Sequence, residues 1–360
     1  MDTTSLILRS FLPERDPLVR FGDASEFAPL DEWGRDLPSL LLEPGFRSYA
    51  RRLRIPALPG RALPEPVLRL YYVRLGFLAS AYVNQIGREP ATVLPSNIAV
   101  PLCQVSARLG RPPILGYDGY ALYNWKRFDP EGPIALGNID TIQNFVHLYD
   151  EHWFILVHVQ IEALASDILA AITRIEEALP LGDPAGVNES VDRIARTIRY
   201  QVEILRRIPE RMDPALYYRT FRPYIRFFEG VVYEGVDRAP MSYRGETGAQ
   251  SSVVPTLVAL FKIPHRSTRL TDHLADMRRF MPAEHRAVIE RVEALTDLRS
   301  MVEERVYNEA LEALATFREA HFKLAQEYIS RRVDDPLGTG GTPYLEWLGQ
   351  LIAETRAHKR

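Results

Sequence analysis

The chain has 360 residues, of which 46% are hydrophobic and 25% charged, so it can bury a large core and is long enough for two domains. Lysine and arginine number 44 against 47 acidic residues, and a net charge of −3 gives no field that would attract nucleic acid or anionic lipid. The single cysteine, Cys103, excludes an intramolecular disulfide framework and a cysteine-rich metal cluster. These features predict a cytoplasmic protein whose partner is a small molecule.

The sequence predicts neither a targeting segment nor a membrane segment. The N-terminal stretch reaches Arg9, Pro13 and Glu14 before any apolar run of signal length. We expect that no apolar run elsewhere reaches the ~18 residues of a membrane span. We therefore expect neither export nor membrane anchoring.

Proline and glycine divide the first part of the chain into short pieces. The segments 55–60, 111–113 and 129–133 are rich in both residues and permit only short helices between irregular connections. We predict a small, loop-rich α domain over residues 1–144.

Long helical patterns begin at Trp153. The first is apolar on nearly every side, which is typical of a helix in the middle of a bundle, and the last begins with Thr342 as cap and Pro343 at its first position. Strand signals are nearly absent. The predicted fold class is mostly α, with a large helical domain over residues 145–360 and helices at 153–178, 187–208, 214–228, 250–262, 268–280, 283–296, 299–331 and 343–357.

Two histidines interrupt apolar helix faces. His321 lies on the stripe formed by Leu314, Phe317 and Leu324, and its position fits either a hydrogen-bonded core histidine or a ligand to a metal or haem iron. Arg318 shares that face and needs an anionic partner, which an Asp or a haem propionate could provide.

His158 raises the same question on the 153–178 helix, where Phe154, Ile155 and Ile161 are its neighbours. A structural role is one interpretation. Two histidines on two buried helices would also fit the two sides of a haem pocket. The remaining histidines are predicted to lie in loops or on polar faces.

Three segments between or at the ends of helices could contact a ligand. The Gly-rich stretch 336–342 lacks the features of a nucleotide-binding loop and fits a mobile lid or a plain connection. The small, polar stretch 243–252 leaves room for a flat ligand or simply caps a helix. At 216–222, Tyr218 and Arg222 share a helical face that could hold an aromatic amino acid and its carboxylate, or belong to the core.

The same residues resemble indoleamine 2,3-dioxygenases, which belong to the haem-dependent tryptophan and indoleamine dioxygenase superfamily. The resemblance is collinear over some 330 residues. Its motifs are Phe11–Glu14, Leu109–Leu115, Asn124–Lys126, Gly137–Asn138, Phe154–Val157 with Glu162, Val232–Gly235, Gly248–Ser252, Asp276–Pro282, His321 and Gly338–Thr342.

The resemblance implies haem b as cofactor, with His321 as proximal ligand to its iron and Arg318 beside a propionate. It also implies that the N-terminal domain covers the distal pocket, where His158 would act on the substrate. The substrate-binding residues it implies are Tyr117, Tyr120, Phe154, Tyr217, Tyr218, Arg222, Thr247, Gly248 and Thr339.

Three departures from the family pattern concern the pocket. His158 replaces the distal serine of the animal enzymes, Tyr217 and Tyr218 replace phenylalanines, and Val258 stands where an acid often pairs with the propionate-side arginine. They predict a more polar pocket and leave the choice of indole open.

The resemblance implies a haem-dependent dioxygenase that inserts O₂ across the C2=C3 bond of L-tryptophan or a related indole, giving a product of the N-formylkynurenine type. Its partners would be the aromatic substrate, O₂ and a reductant for the haem. One alternative is a haem monooxygenase or rearranging enzyme acting on an indole in secondary metabolism. Another is a non-catalytic haem or gas-binding protein.

Overall fold

The computed structural model describes residues 9–236, 239–267, 269–329 and 344–360, and most of them are helical. This confirms the predicted fold class. The α-helices are α1 (Pro29–Leu40), α2 (Phe46–Ala50), α3 (Glu65–Val83), α4 (Ser96–Arg108), α5 (Tyr149–Leu181), α6 (Pro184–Leu205), α7 (Pro214–Leu216), α8 (Val253–Leu260), α9 (Arg269–Arg278), α10 (Ala283–Glu293), α11 (Glu304–Tyr328) and α12 (Tyr344–Ala357).

Five short strands form two small sheets within the described part of the chain. Strand β1 (Val93–Leu94) pairs in parallel with β4 (Phe228–Tyr233), and β5 (Met241–Tyr243) pairs antiparallel with the other edge of β4. Strands β2 (Trp125–Arg127) and β3 (Ile139–Thr141) form a separate antiparallel pair with Trp125 opposite Thr141. The parallel pairing joins residue 93 to residue 232, so the N-terminal part of the chain is tied to the region just before α8.

Helix α5 is the central helix of the site. Gly182 follows its last residue and stops the helix, because its backbone is left-handed (φ 62°). The N–H of Gly182 donates hydrogen bonds to the carbonyl oxygens of Ala178 and Leu179. The Asp183 carboxylate then accepts the N–H of Gly186 and starts α6. The expectation that no apolar run reaches the length of a membrane span was wrong, because α5 is long and apolar enough to cross a membrane. However, 61% of its most apolar 18-residue stretch is buried inside the protein. We interpret it as a core helix.

Helices α5, α6, α11 and α12 form the main bundle, each packing along the next. Hydrophobic clusters from the first 160 residues and from 224–243 form one part of the core, and α5, α6, α8, α10 and α11 form another. A third, smaller cluster joins α5 to the segment 202–221 and to the C-terminal half of α11. The proposed division at residue 144 stays a prediction.

The largest departure from the sequence prediction is at 214–228. Asp213 caps α7 by accepting the N–H groups of Ala215 and Leu216, but the helix widens into a π-helical turn at Tyr217–Phe221. Pro223 has no N–H to continue it, and residue 228 begins β4. The other predicted helices are present, but their ends are shifted. For example, α11 starts at Glu304 and not at residue 299, because Asp297 caps a separate 3₁₀ turn at Leu298–Ser300. The predicted Thr342 cap lies outside the described residues.

Candidate active site

A cavity of about 500 Å³ lies between α5, α6, α8, α9, α11 and α12 and the loop before α8. Its size falls within the range of small-molecule and cofactor sites. Its walls are mainly apolar. Eight of the predicted site residues line it: Tyr117, Phe154, His158, Tyr217, Thr247, Gly248, Arg318 and His321.

His321 presents its ring to this cavity from α11. The side chain is exposed, and it lines the cavity, so the ring is accessible there and is not packed as a core residue. Burial of the site within the protein, and then the nearby His158, lower the pKa of His321 to about 4. At neutral pH the imidazole is therefore uncharged and keeps a lone pair for a metal.

Arg318 lies one turn before His321 and is 5% exposed. One guanidinium nitrogen donates to the Leu351 carbonyl (2.8 Å) and to the Thr355 hydroxyl, while Nε has no hydrogen-bond partner among the described residues. No carboxylate of those residues forms an ion pair with it. Burial lowers the pKa of Arg318 to about 10, so it remains a cation on the cavity wall.

His158 faces the cavity from α5. Its Nδ1 donates to the Phe154 carbonyl one turn earlier, at 2.7 Å, which fixes the tautomer and leaves Nε2 as an acceptor. Burial lowers the pKa of His158, so the neutral form is favoured. The backbone of the helix thus supplies the polar partner that the apolar neighbours of His158 in the sequence do not provide.

Aromatic rings surround His158. The ring centroid of Phe154 lies 4.6 Å from that of His158, and the Tyr117 ring meets it edge-on at 6.0 Å. Tyr217 lies 5.4 Å from Phe154 and is itself packed edge-on against Tyr328. These rings form a wall that a flat aromatic ligand could stack against or meet edge-on.

Gln250 ties the pocket loop to Tyr117. Its side-chain oxygen accepts the Tyr117 N–H at 2.8 Å, and its amide nitrogen donates to the Gly245 carbonyl at 2.9 Å. Thr247 caps the short turn at Gly248–Gln250. These bonds hold the 245–250 loop, with Glu246, Thr247 and Gly248, against the cavity.

Three described residues that were predicted to bind the substrate do not line the cavity: Tyr120, Tyr218 and Arg222. Tyr120 is 1% exposed and donates its hydroxyl to Glu151 at 3.1 Å. Arg222 is 2% exposed, and its guanidinium lies 5.0 Å from the centre of the Tyr218 ring. The shared face of Tyr218 and Arg222 is thus present, but behind the cavity wall. Thr339 and the 336–342 loop lie outside the described residues.

Sequence reasoning missed several polar residues. His265 lies in a loop, as expected, but it also lines the cavity. His273 lines the cavity and His285 is buried, although loops or polar faces were expected for both. Burial lowers the pKa of His273 to about 4. Glu162 and Glu246 also line the cavity; a signal for Glu162 existed, because it lies four residues after His158 on the same helical face.

Comparison with known proteins identifies the family. Residues 7–336 match the sequence profile described as Indoleamine 2,3-dioxygenase. The chain belongs to the indoleamine 2,3-dioxygenase family. It is 31% identical to indoleamine 2,3-dioxygenase 1 of Mus musculus over 92% of this chain and 89% of the mouse protein. It is likewise 31% identical to indoleamine 2,3-dioxygenase of Saccharomyces cerevisiae, over 89% and 77% of the two chains. A 6-hydroxytryptophan 2,3-dioxygenase of Fusarium equiseti is 26% identical over 89% and 82%.

Members of the indoleamine 2,3-dioxygenase family are haem-dependent dioxygenases, and this chain is an enzyme of that type. The residues present fit a haem. The cavity wall carries the neutral imidazole of His321, the buried Arg318, whose Nε has no hydrogen-bond partner among the described residues, and mainly apolar side chains. Among the described residues there is no group of three or more His, Cys, Asp or Glu that could hold a bare metal ion.

Proposed function

We propose that the enzyme opens the indole ring of L-tryptophan or a related indole by inserting both atoms of O₂ across C2=C3. The observation that carries this proposal is the single cavity onto which His321 and His158 project from α11 and α5. When bound, haem would supply the iron at which O₂ is activated.

His321 would hold the iron through its neutral imidazole, and Arg318 would direct its unpaired Nε–H toward a propionate. An anion there would offset the charge of a guanidinium that has no ion-pair partner among the described residues. His321 and Arg318 are one turn apart on α11, so one rigid element would present both.

His158 would act on the substrate. Its Nε2 is available as an acceptor because Nδ1 is held by the Phe154 carbonyl, so it can accept the indole N–H. Phe154, Tyr117 and Tyr217 would orient the ring and exclude water. We propose that Thr247 and Gly248 belong to the loop that would cover the haem edge, and that Thr339 would contact the amino-acid end of the substrate.

Arg222 is proposed to bind the substrate carboxylate, and Tyr218 and Tyr120 to complete the pocket. All three lie behind the wall, so this role requires Arg222 to leave the Tyr218 ring when substrate enters. We further propose a cytoplasmic location, a reductant that keeps the haem ferrous, and no nucleic-acid or membrane partner; the small net charge supports the last point.

The proposal is tested with protein reconstituted with haem and reduced. Turnover of a panel of indoles under ¹⁸O₂ should give a ring-opened product with two labelled oxygen atoms. One labelled atom would instead indicate a monooxygenase. Binding of haem and CO without any spectral change on adding indoles would indicate a gas-binding protein.

A further inference from the structure

Two buried carboxyl groups line the distal part of the cavity, and the function proposed above uses neither. Glu162 lies one turn after His158 on α5 and is 1% exposed. Glu246 lies on the 245–250 loop and is 3% exposed. Both contribute to the cavity wall, and both act on the hydroxyl of Tyr117, raising its pKa after the larger effect of burial.

Glu162 is held by two donors. Its Oε1 accepts the hydroxyl of Tyr117 at 2.9 Å and that of Ser251 at 2.6 Å. Its Oε2 has no hydrogen-bond partner among the described residues. The two bonds to Oε1 fix the carboxyl group, so Oε2 is an acceptor with a defined position in a side chain that lines the cavity.

An unsatisfied buried oxygen is costly, and a ligand that supplies a donor removes that cost. Burial raises the pKa of Glu162 to about 7. Above that pH the group is a carboxylate and can only accept hydrogen bonds.

Unsubstituted indole cannot supply this donor if His158 accepts its N–H, because the rest of its edge is carbon and hydrogen. The carboxylate of the substrate is assigned to Arg222 in the function proposed above, whereas Glu162 is bonded to Tyr117, one of the rings proposed to contact the indole. The position of Glu162 therefore favours a group on the ring.

We propose that Glu162 is a specificity-determining residue that accepts a hydrogen bond from a hydroxyl or amino group on the benzo ring of the indole substrate. The preferred substrate would thus be a ring-substituted tryptophan or related indole carrying such a donor. This inference rests on the proposed function and deepens it.

The test compares hydroxy- and fluorotryptophans substituted at the same ring carbon, for each of the four benzo positions. A hydroxyl can donate, whereas fluorine of similar size cannot. The haem-loaded enzyme is assayed at pH 8 for dissociation constants, from the Soret shift, and for kcat/KM. At one position the hydroxy analogue should be favoured by at least about tenfold, which corresponds to about 1.4 kcal/mol.

Glu162→Gln should reduce this ratio several-fold, because it removes the charge that strengthens the hydrogen bond. Glu151→Gln is the matched control: Glu151 is also buried on α5, but it accepts bonds from Tyr120, Phe145 and Val146 and does not line the cavity. It should lose stability and leave the ratio unchanged.

If tryptophan is turned over but the wild-type enzyme shows no preference for a hydroxy analogue at any position, the inference is wrong and the proposed function stands. This outcome does not depend on any variant folding. Equal weakening of tryptophan and hydroxytryptophan by Glu162→Gln, with indole-3-propionate unaffected, would show that Glu162 binds the ammonium group and would also overturn it. Failure of every indole to bind or react would refute both proposals.

Discussion

His321 and His158 line the same cavity, but the structure holds the two rings differently. Nδ1 of His158 donates to a backbone carbonyl of its own helix, which leaves one defined acceptor. For His321 no hydrogen bond to another described residue is found, and its ring is exposed toward the cavity. The first arrangement suits recognition of a donor, and the second suits coordination of a metal.

We expect His321→Ala to abolish stable haem binding, because α11 carries no second histidine that could replace it as ligand to the iron. Haem titration followed by the Soret spectrum checks this. His273→Ala is the control, since His273 lines the same cavity and is also neutral at pH 7. An unchanged haem spectrum in the His321 variant would refute the assignment.

We expect His158 to accept a hydrogen bond from the indole N–H of the substrate. Wild-type enzyme is expected to reject 1-methyltryptophan by more than the ~1–3 kcal/mol of a simple methyl misfit, because Nε2 of His158 is then left without a donor. His158→Ser should lower turnover of tryptophan and narrow its advantage over the methylated analogue. The ratio of kcat/KM for the two substrates is measured in both proteins. If wild-type enzyme has the same kcat/KM for tryptophan and 1-methyltryptophan, His158 has a structural role only.

Among the local elements, the 245–250 loop is positioned by close backbone packing. A Cβ on Gly245 would collide with the backbone carbon of Arg226 and the carbonyl oxygen of Ile225, and would lie 2.6 Å from the Phe227 nitrogen. The N–H of Glu246 bonds the Ile225 carbonyl at 3.1 Å. The loop can approach the segment before β4 this closely only with glycine at position 245.

Gly245→Ala should therefore displace the loop. We expect a loss of about 1–3 kcal/mol or more in the free energy of unfolding, because backbone atoms cannot yield as a flexible side chain would. Activity should fall as well, since Glu246, Thr247 and Gly248 move with the loop. Urea denaturation measures the loss. Gly60→Ala is the control, because a Cβ there would meet nothing within 4 Å; equal stability of the two variants would contradict the argument.

For the whole molecule, buried carboxyl groups make stability depend on pH. The pKa of Glu162 is about 7 in the folded protein, through burial, against an ordinary value of 4.5. Between these values the folded state binds more protons than the unfolded state, so the free energy of unfolding decreases as pH rises. The contribution of Glu162 to the free energy of unfolding is fully present below pH 4.5 and is lost as the pH rises through about 7.

We expect this group to contribute a slope of up to about 1.4 kcal/mol per pH unit within that window. Urea unfolding of the haem-loaded protein at pH 5, 6, 7 and 8 gives the slope. Glu162→Gln, which cannot titrate, should show a shallower dependence than wild type. Identical slopes would mean that Glu162 titrates in the folded protein as it does in water.

Much of the fold and part of the site could be predicted from the sequence. The apolar periodicity after Trp153 predicted the long helices, and the polar interruptions of that pattern identified His158 and His321. The π turn at Tyr217–Phe221 and strand β4 were missed, because Pro223 and the pairing of β4 with β1 override a local helical pattern.

The sequence by itself determined the helical class, the two histidine-bearing helices and the residues that carry the family resemblance. Only the tertiary structure decided which polar groups face the cavity. Periodicity shows which side of a helix points inward, but not whether the interior at that point is packed or hollow. Tyr120 and Arg222 point into packed protein, because elements distant in the chain fill the space around them. Glu162 and His273 border the cavity, because no such element fills the space beside them.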